Sequence, residues 1–196
     1  MEQQTARVGC VVMAAGNASR FGENKLAAVV EGKTLIEHAL DAVGQGTFDR
    51  VVVVTQYPEI EDMAKARGYD TLRNEHPDWG ISHTISLGTN HLSDCTAILY
   101  MVSDQPLLDA VSVARVVEKW RQNPCYIVGA AHNGKRGNPC IFPREFYDEL
   151  LALREDHGGN TVIRANQDRL LTVEVAKEEL TDVDTPEALQ ALHDGH

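Results

Sequence analysis

Val11 to Lys25 reads VVMAAGNASRFGENK: an apolar run that ends at Met13 and gives way to a loop with two glycines, an arginine and a lysine, and no acid before Glu23. The run Val8 to Met13 has the length and composition of a strand covered on both faces, and the residues after it are too small and too polar to continue it. Gly16 lets the backbone turn sharply and come close to a ligand, while the small residues Ala14, Ala15, Ala18 and Ser19 leave their amides open. Arg20 and Lys25 add positive charge, one as a planar fork and the other as a point charge. Such a loop suits a di- or triphosphate. It is neither a GxxxxGK[ST] loop nor a GxGxxG turn, and an ordinary strand-to-helix connection with solvated charges is the competing reading.

Outward from this stretch, short apolar runs alternate with helical patterns. Arg50 to Thr55, Thr96 to Val102, Tyr126 to Ala130 and Leu170 to Val175 are short and β-branched or apolar, as strands of a covered sheet should be. Thr34 opens a helix: Thr34 and Glu37 fit a capping box, Leu35, Ile36, Ala39, Leu40 and Val43 form an apolar stripe, and Gly44 or Gly46 ends it. Further helices are expected over Pro58 to Arg67, Ile81 to His91, Asp109 to Arg121, Pro143 to Leu153 and Pro186 to His193. This alternation predicts an α/β fold, a three-layer arrangement around a mostly parallel sheet. With no linker, repeat or low-complexity segment, residues 1–196 read as a single domain. In such sheets ligands bind beyond the carboxyl ends of the strands, where the loop after the first strand lies.

The 196 residues carry 29 acids against 18 Lys and Arg, a formal net charge of −11, which argues against nucleic acid or an anionic membrane as a partner. A local basic loop can still hold a small anion. Cys10, Cys95, Cys125 and Cys140 are widely spaced and form no zinc pattern, so they read as reduced core or strand residues. No apolar stretch reaches the roughly 20 residues of a membrane span, and MEQQTARVG has no signal-peptide apolar region, so a cytoplasmic protein is expected.

"AAGNASRFGENK" resembles the AAGxSxRMGxxK signature of the MobA/MocA-related nucleotidyltransferases, which include the molybdenum cofactor cytidylyltransferases; Ala18 replaces the signature's Ser and Phe21 its Met. The resemblance continues in order through "NEHPDWGISHTISLG", "YMVSDQPLL", "RGNPCIFP" and "DVDTPEAL". It implies a Rossmann-like sheet of the glycosyltransferase-A type, on which a nucleoside triphosphate and Mg²⁺ bind. A phosphate oxygen of the acceptor then attacks the α-phosphate and pyrophosphate leaves. By this resemblance Ala14, Ala15, Gly16, Arg20 and Lys25 hold the triphosphate, Lys25, Arg20 and Asp104 are catalytic, and Asn74, Gly80, Thr84 and Gly88 contact base and ribose.

Asp104 follows six apolar residues and Ser103, which puts it at a strand's carboxyl end, and Pro106 stops the strand after it. A carboxylate there suits Mg²⁺, which prefers oxygen and binds through one or two carboxylates plus substrate phosphates; an Asx turn is the competing role. Asp182 and Asp184 are the candidates for the second metal carboxylate, on one side of an extended DVD stretch. Asp184 also fits the N-cap of a helix that has Pro186 near N1 and Glu187 at N3. Trp79 reads as packing rather than base stacking, and His76, His83 and His91 fit no tight ligand pattern.

"HNGKRGNPCIFP" resembles the acceptor-side segment, with Gly137 and Pro139 in a GxP core and Asn138 where relatives carry His. Lys135 and Arg136 either meet the acceptor's phosphate or form a solvated basic turn. "DHGGN", from Asp156, resembles a further acceptor-side loop. Ala15-Gly16 in place of Gly-Gly, and the SDQP sequence, resemble the cytidylyl branch. The expected reaction is therefore transfer of CMP from CTP to molybdenum-loaded molybdopterin, the product passing to a molybdenum hydroxylase. A uridylyl- or cytidylyltransferase acting on a sugar or alditol phosphate is the enzymatic alternative. A nucleotide- or cofactor-binding carrier or insertion chaperone without turnover is the alternative from another class.

Overall fold

Strand β1, Val8–Ala14, is the middle of the molecule, and its alternating side chains feed two separate cores. Val8, Cys10, Val12 and Ala14 face one layer of helices and Val11 the other, every one of them at most 1% exposed. The structure is a computed structural model that describes residues 6–16 and 24–194. Chain order after β1 is β2 (Val29–Val30), β3 (Lys33–Thr34), α1 (Leu35–Ala42), β4 (Arg50–Thr55), α2 (Pro58–Ala66), β5 (Asp70–Arg73), α3 (Ile81–His91), β6 (Ala97–Val102) and α4 (Ala110–Gln122). The second half adds β7 (Ile127–His132), β8 (Lys135–Pro143), α5 (Tyr147–Leu151), α6 (Gly159–Ala165), β9 (Leu170–Glu174) and α7 (Pro186–Asp194).

The main sheet has the order β5-β4-β1-β6-β8-β7-β9, while β2 and β3 form a separate small hairpin. Pairing is parallel throughout except at β8, which runs antiparallel to both β6 and β7. Helices α1, α2, α4 and α7 cover one face through Leu35, Leu40, Ile60, Val113, Val117, Trp120 and Leu189. Helices α3, α5 and α6 cover the other through Ile85, Leu150 and Ile163. This is the expected three-layer α/β fold. Among the described residues no helix is long and apolar enough to cross a membrane.

The local signals act as read. Thr34 and Glu37 form the reciprocal capping box of α1, and Asp109 caps α4 by accepting from the Ser112 amide at 2.8 Å. The Pro143 to Leu153 helix is corrected: Pro143 ends β8, residues 144–146 make one 3₁₀ turn, and α5 begins only at Tyr147. Sequence periodicity missed β5 and β8, because Asp70–Arg73 has Leu72 as its one apolar residue and β8 opens with KRGN.

Two arrangements set up the site. Helix α3 lies hard against β1: a Cβ on Gly88 would sit 2.6 Å from Val11 Cγ2, and one on Gly9 would sit 2.9 Å from Leu92 Cδ1. This close approach brings the start of α3 to the carboxyl end of β1. Meanwhile β6 and β8 pair from Ala97 with Pro143 to Tyr100 with Cys140 and then part. On its other edge β8 shifts register, so that Ala130 alone lies opposite Gly137, Asn138 and Pro139. The sheet opens as a wedge on the side where β6 ends.

Overpacking a tight contact costs about 1–3 kcal/mol. Gly88→Ala is therefore expected to lower Tm by several degrees in a thermal melt, and an unchanged Tm would remove the close-packing account of α3 on β1.

Candidate active site

A cleft of about 460 Å³ opens at the carboxyl ends of β1 and β6. Its floor is Met13, Ala15 and Gly16 from β1 and the turn after it, with Val102, Ser103 and Asp104 from β6. Lys25 and Leu26 form one wall, and Pro77, Asp78, Gly80, Ile81 and Thr84 form the opposite wall, with Asp156 beside them. The turn at residues 13–16 is fixed from below. Ser103 Oγ donates to the Met13 carbonyl at 2.8 Å, Thr55 Oγ1 to Ala14 at 2.9 Å, Gln56 Nε2 to Ala15 at 3.0 Å and Tyr57 Oη to Gly16 at 3.3 Å. With each successive carbonyl held, the peptide planes are preset, and among the described residues nothing lies within 4 Å of where a Gly16 Cβ would be. Ala14 itself is buried, so its part in the site is backbone only. Arg20 lies outside the described residues.

Lys25 is the centre of the charge pattern. Its Nζ donates to Asp104 Oδ2 at 2.8 Å and to Asp184 Oδ1 at 3.1 Å. Burial works against the ammonium, but hydrogen bonds and charge from the two carboxylates outweigh it and hold the pKa above the ordinary lysine value. Asp104 Oδ1 is buried and has no partner among the described residues. Asp182 points elsewhere: its Oδ1 accepts from Gln105 Nε2 at 2.8 Å, and burial, then the Asp104 charge, raise its pKa above the usual carboxylate range. Among the described residues no three His, Cys, Asp or Glu side chains converge as a metal set. Asp104 and Asp184 meet at one cation, and Asp182 stands apart from that pair.

The strap that carries Asp182 and Asp184 is anchored by the Val183 amide, which donates to the Asp104 carbonyl at 2.8 Å, and by the fully buried Val183 side chain. The expected cap role of Asp184 is corrected. Thr185 Oγ1 accepts from the Ala188 amide at 3.1 Å and so caps α7, one residue later than the sequence suggested, which leaves the Asp184 carboxylate to Lys25.

Of the residues expected at base and ribose, Gly80 and Thr84 line the cleft, whereas Asn74 and Gly88 do not. Asn74 is 1% exposed, donates to Thr84 Oγ1 at 3.1 Å and accepts from the His76 amide at 2.9 Å, so it shapes the wall from behind. Gly88 is consumed by the contact with Val11. Gly80 has φ +83° and touches the loop after α5: a Cβ there would lie 2.3 Å from the Glu155 carbonyl and 2.7 Å from Asp156 Oδ1. The Ser82 amide donates to the same Glu155 carbonyl at 3.1 Å, and this docking is what brings Asp156 to the cleft. Trp79 is 54% exposed and stacks on His76 with centroids 4.1 Å apart, while His91 bonds Asp70 at 2.9 Å on the sheet's flank.

A second, smaller cavity of about 80 Å³ fills the wedge between β6 and β8 and shares Met13, Ile81 and Val102 with the main cleft. Asn138 and Arg136 line it with Cys140, Gly158, Gly159 and Asn160, against apolar walls that include Tyr100, Phe142 and Ile163. Gly137 is backed by Leu180, 3.1 Å from where its Cβ would be, and Pro139 is buried. Lys135 is exposed at the far end of the hairpin, so of the two basic residues only Arg136 faces a cavity. The sequence reading missed Gln56, Tyr57, Ile81 and Asp78. Of these, Asp78 and Ile81 flank Gly80 inside a motif already singled out, and no local signal marks Gln56 or Tyr57.

Comparison with known proteins gives the family and the fold. Residues 10–170 match the MobA-like NTP transferase domain. Bifunctional protein GlmU of Staphylococcus saprophyticus is 27% identical over 120 residues, covering 59% of this chain and 26% of that protein. The chain spans about a quarter to a third of the length of the curated relatives it matches. Among solved structures, a nucleotidyl transferase from Methanothermobacter thermautotrophicus superposes with a TM-score of 0.80 at 21% identity over 96% of this chain and 97% of its own. Rv0371c of Mycobacterium tuberculosis in complex with manganese gives 0.75 at 20% identity over 97% of this chain and 100% of its own.

A side chain at a φ that favours glycine costs about 1–3 kcal/mol before any collision is counted. Gly80→Ala is expected to lower Tm and to speed amide exchange across residues 154–158, the loop that rests on it. Exchange there at the wild-type rate would show that Gly80 does not seat that loop.

Proposed function

The chain belongs to the MobA-like NTP transferase family, and on that premise we propose that it transfers CMP from CTP to the phosphate of molybdenum-loaded molybdopterin, releasing pyrophosphate. The observation that carries the reading is Lys25 held between Asp104 and Asp184 at the edge of a strand-end cleft. In the transfer, an acceptor phosphate oxygen bonds to the α-phosphorus, the bond from that phosphorus to the bridging oxygen breaks, and the electron pair leaves with pyrophosphate. Little covalent chemistry falls to the protein, so positioning and charge supply the acceleration. The preset turn at residues 13–16 receives the triphosphate on its backbone, and Lys25 neutralises charge as it builds on the phosphoryl oxygens.

The residues present fit a divalent cation. Asp104 Oδ1 is a buried carboxylate oxygen with no partner among the described residues, the kind of atom a hard cation takes, and Asp184 already shares a positive charge with Asp104. Mg²⁺ held by Asp104 with Asp184 or Asp182 would neutralise phosphate oxygens and favour departure of pyrophosphate. The hydrogen bond from Gln105 holds the Asp182 carboxylate beside that pair without joining it.

CTP is favoured over GTP by Ala15-Gly16 and by the SDQP turn at Ser103 to Pro106. The apolar walls of the second cavity suit a ring system such as the pterin, while its volume of about 80 Å³ favours a smaller acceptor. A sugar or alditol phosphate is therefore the second reading, and Asn138 in the GxP core is consistent with it. The carrier reading is opposed by the carboxylates at Lys25, which a binding module does not need.

Pyrophosphate release with Mg²⁺ and each of CTP, GTP, UTP and ATP, with and without the loaded pterin, tests these readings. Release with CTP only when the pterin is present is expected. Release with a sugar or alditol phosphate instead overturns the acceptor, and nucleotide binding with no release under any condition overturns the transferase. Removing a positioned charge group in such a site costs about 10²–10³ in rate. Asp104→Asn and Lys25→Gln are each expected to lose at least that much kcat with Tm within a few degrees of wild type; near-normal Mg²⁺-dependent activity in Asp104→Asn removes the metal assignment.

A further inference from the structure

The basic residues with assigned partners fall into two groups. Lys25, Lys33, Lys65, Arg7, Arg50, Arg67, Arg73 and Arg169 each meet a carboxylate, and Arg144 and Arg154 are tied to backbone carbonyls. Arg136 belongs to neither. Its guanidinium donates to Asn160 Oδ1 and, at 3.4 Å, to Cys140 Sγ, both neutral, and among the described residues no acid lies within ion-pair distance of it. A chain with 29 acids leaves this cation facing a cavity without a counter-charge among the described residues.

The side chain is also built in. Its Cγ and Cδ lie 3.3 and 3.1 Å from where a Cβ on Gly129 would be, so the absence of a side chain at 129 makes room for the stem. The three-residue bulge of β8 at Gly137, Asn138 and Pro139 carries the strand away from β6 directly after Arg136 and opens the wedge the guanidinium faces. A guanidinium has five donors, and two are used by Asn160 and Cys140. The planar arrangement of the rest matches two oxygens of a phosphate. Met13, Ile81 and Val102 line both cavities, and Val102 is two residues before Asp104, so an anion on Arg136 is one side chain's thickness from the cleft floor.

We infer that Arg136 is an oxyanion receptor in the β6–β8 wedge, and that it recognises the phosphate monoester of the acceptor and holds it toward the α-phosphate in the main cleft. This rests on the transferase reading for the identity of the phosphate, but the receptor itself can be tested without turnover. Inorganic phosphate is the probe, titrated against the full chain by calorimetry. Wild type and Lys25→Gln are expected to bind it, and Arg136→Gln to bind it at least about tenfold more weakly, the scale of one lost charge-assisted contact. Arg136→Gln binding phosphate as tightly as wild type overturns the proposal. Should Arg136→Gln melt below wild type, Arg136→Lys takes its place: it keeps the stem over Gly129 and a point charge but not the fork, and is expected to weaken phosphate binding severalfold. In turnover, Arg136→Gln is expected to raise the acceptor KM about tenfold or more with the nucleotide KM unchanged; an equal rise in both would make it a structural residue. No pyrophosphate release with any nucleotide sinks the transferase reading, and the phosphate titration still decides Arg136.

Discussion

Lys25 meets carboxylates that are 79 and 159 residues away along the chain, and that three-way contact joins the loop after β1, the end of β6 and the strap before α7 at one point. One partner ends the central strand β6 and the other lies on the strap that crosses it before α7. Lys25 and Asp104 are largely buried, so leaving either charge unpaired is costly, whereas the Asp184 side chain is 60% exposed. Together the two carboxylates share one ammonium, and among the described residues the second oxygen of Asp104 has no partner. The same contact also ties the 3₁₀ turn at Lys25–Ala27 to the sheet.

The cleft around this contact is made by backbone approach more than by side-chain chemistry. Gly88 and Gly9 let α3 sit close on β1, which brings Gly80 and Ile81 over the strand ends. Gly80 in turn accommodates the Glu155 carbonyl, so the loop after α5 closes one end of the cleft and delivers Asp156. Carbonyls of residues 13–16 are taken by side chains from β4, the turn after β4 and the turn after β6, so this stretch of backbone is preorganised by its neighbours. None of these contacts needs an unusual residue; each needs a small one in the right place.

Antiparallel β8 gives the sheet its second compartment. A fully parallel sheet would continue flush past β6, but β8 arrives from the opposite direction and bulges by residues 137–139, so the two strands separate where β6 delivers Asp104. Arg136 and Asn138 stand on one side of that gap and the start of α6, with Asn160, on the other. The two compartments share a ridge of Met13, Ile81 and Val102.

The sequence by itself determined the elements whose cause is local. The apolar run of β1, the capping box at Thr34 and Glu37, and the helices read at Ile81 to His91 and from Asp109 rest on contacts within a few residues, so pattern and propensity suffice to read them. Lys25, Asp104 and Asp184 were legible as charged residues at element ends. Tertiary structure decided what those residues touch. Asn74 turned inward because Thr84 and the His76 amide satisfy it, Gly88 went to packing because Val11 occupies its Cβ space, and Asp184 reached Lys25 because Thr185 took the cap. The strand β8, with four polar or glycine residues at its start, has no two-residue alternation to betray it there; its place is fixed by pairing with β6 and β7. Local chemistry writes the element, and the choice among partners far along the chain is made by packing, where burial and hydrogen-bond satisfaction are settled for the whole molecule at once.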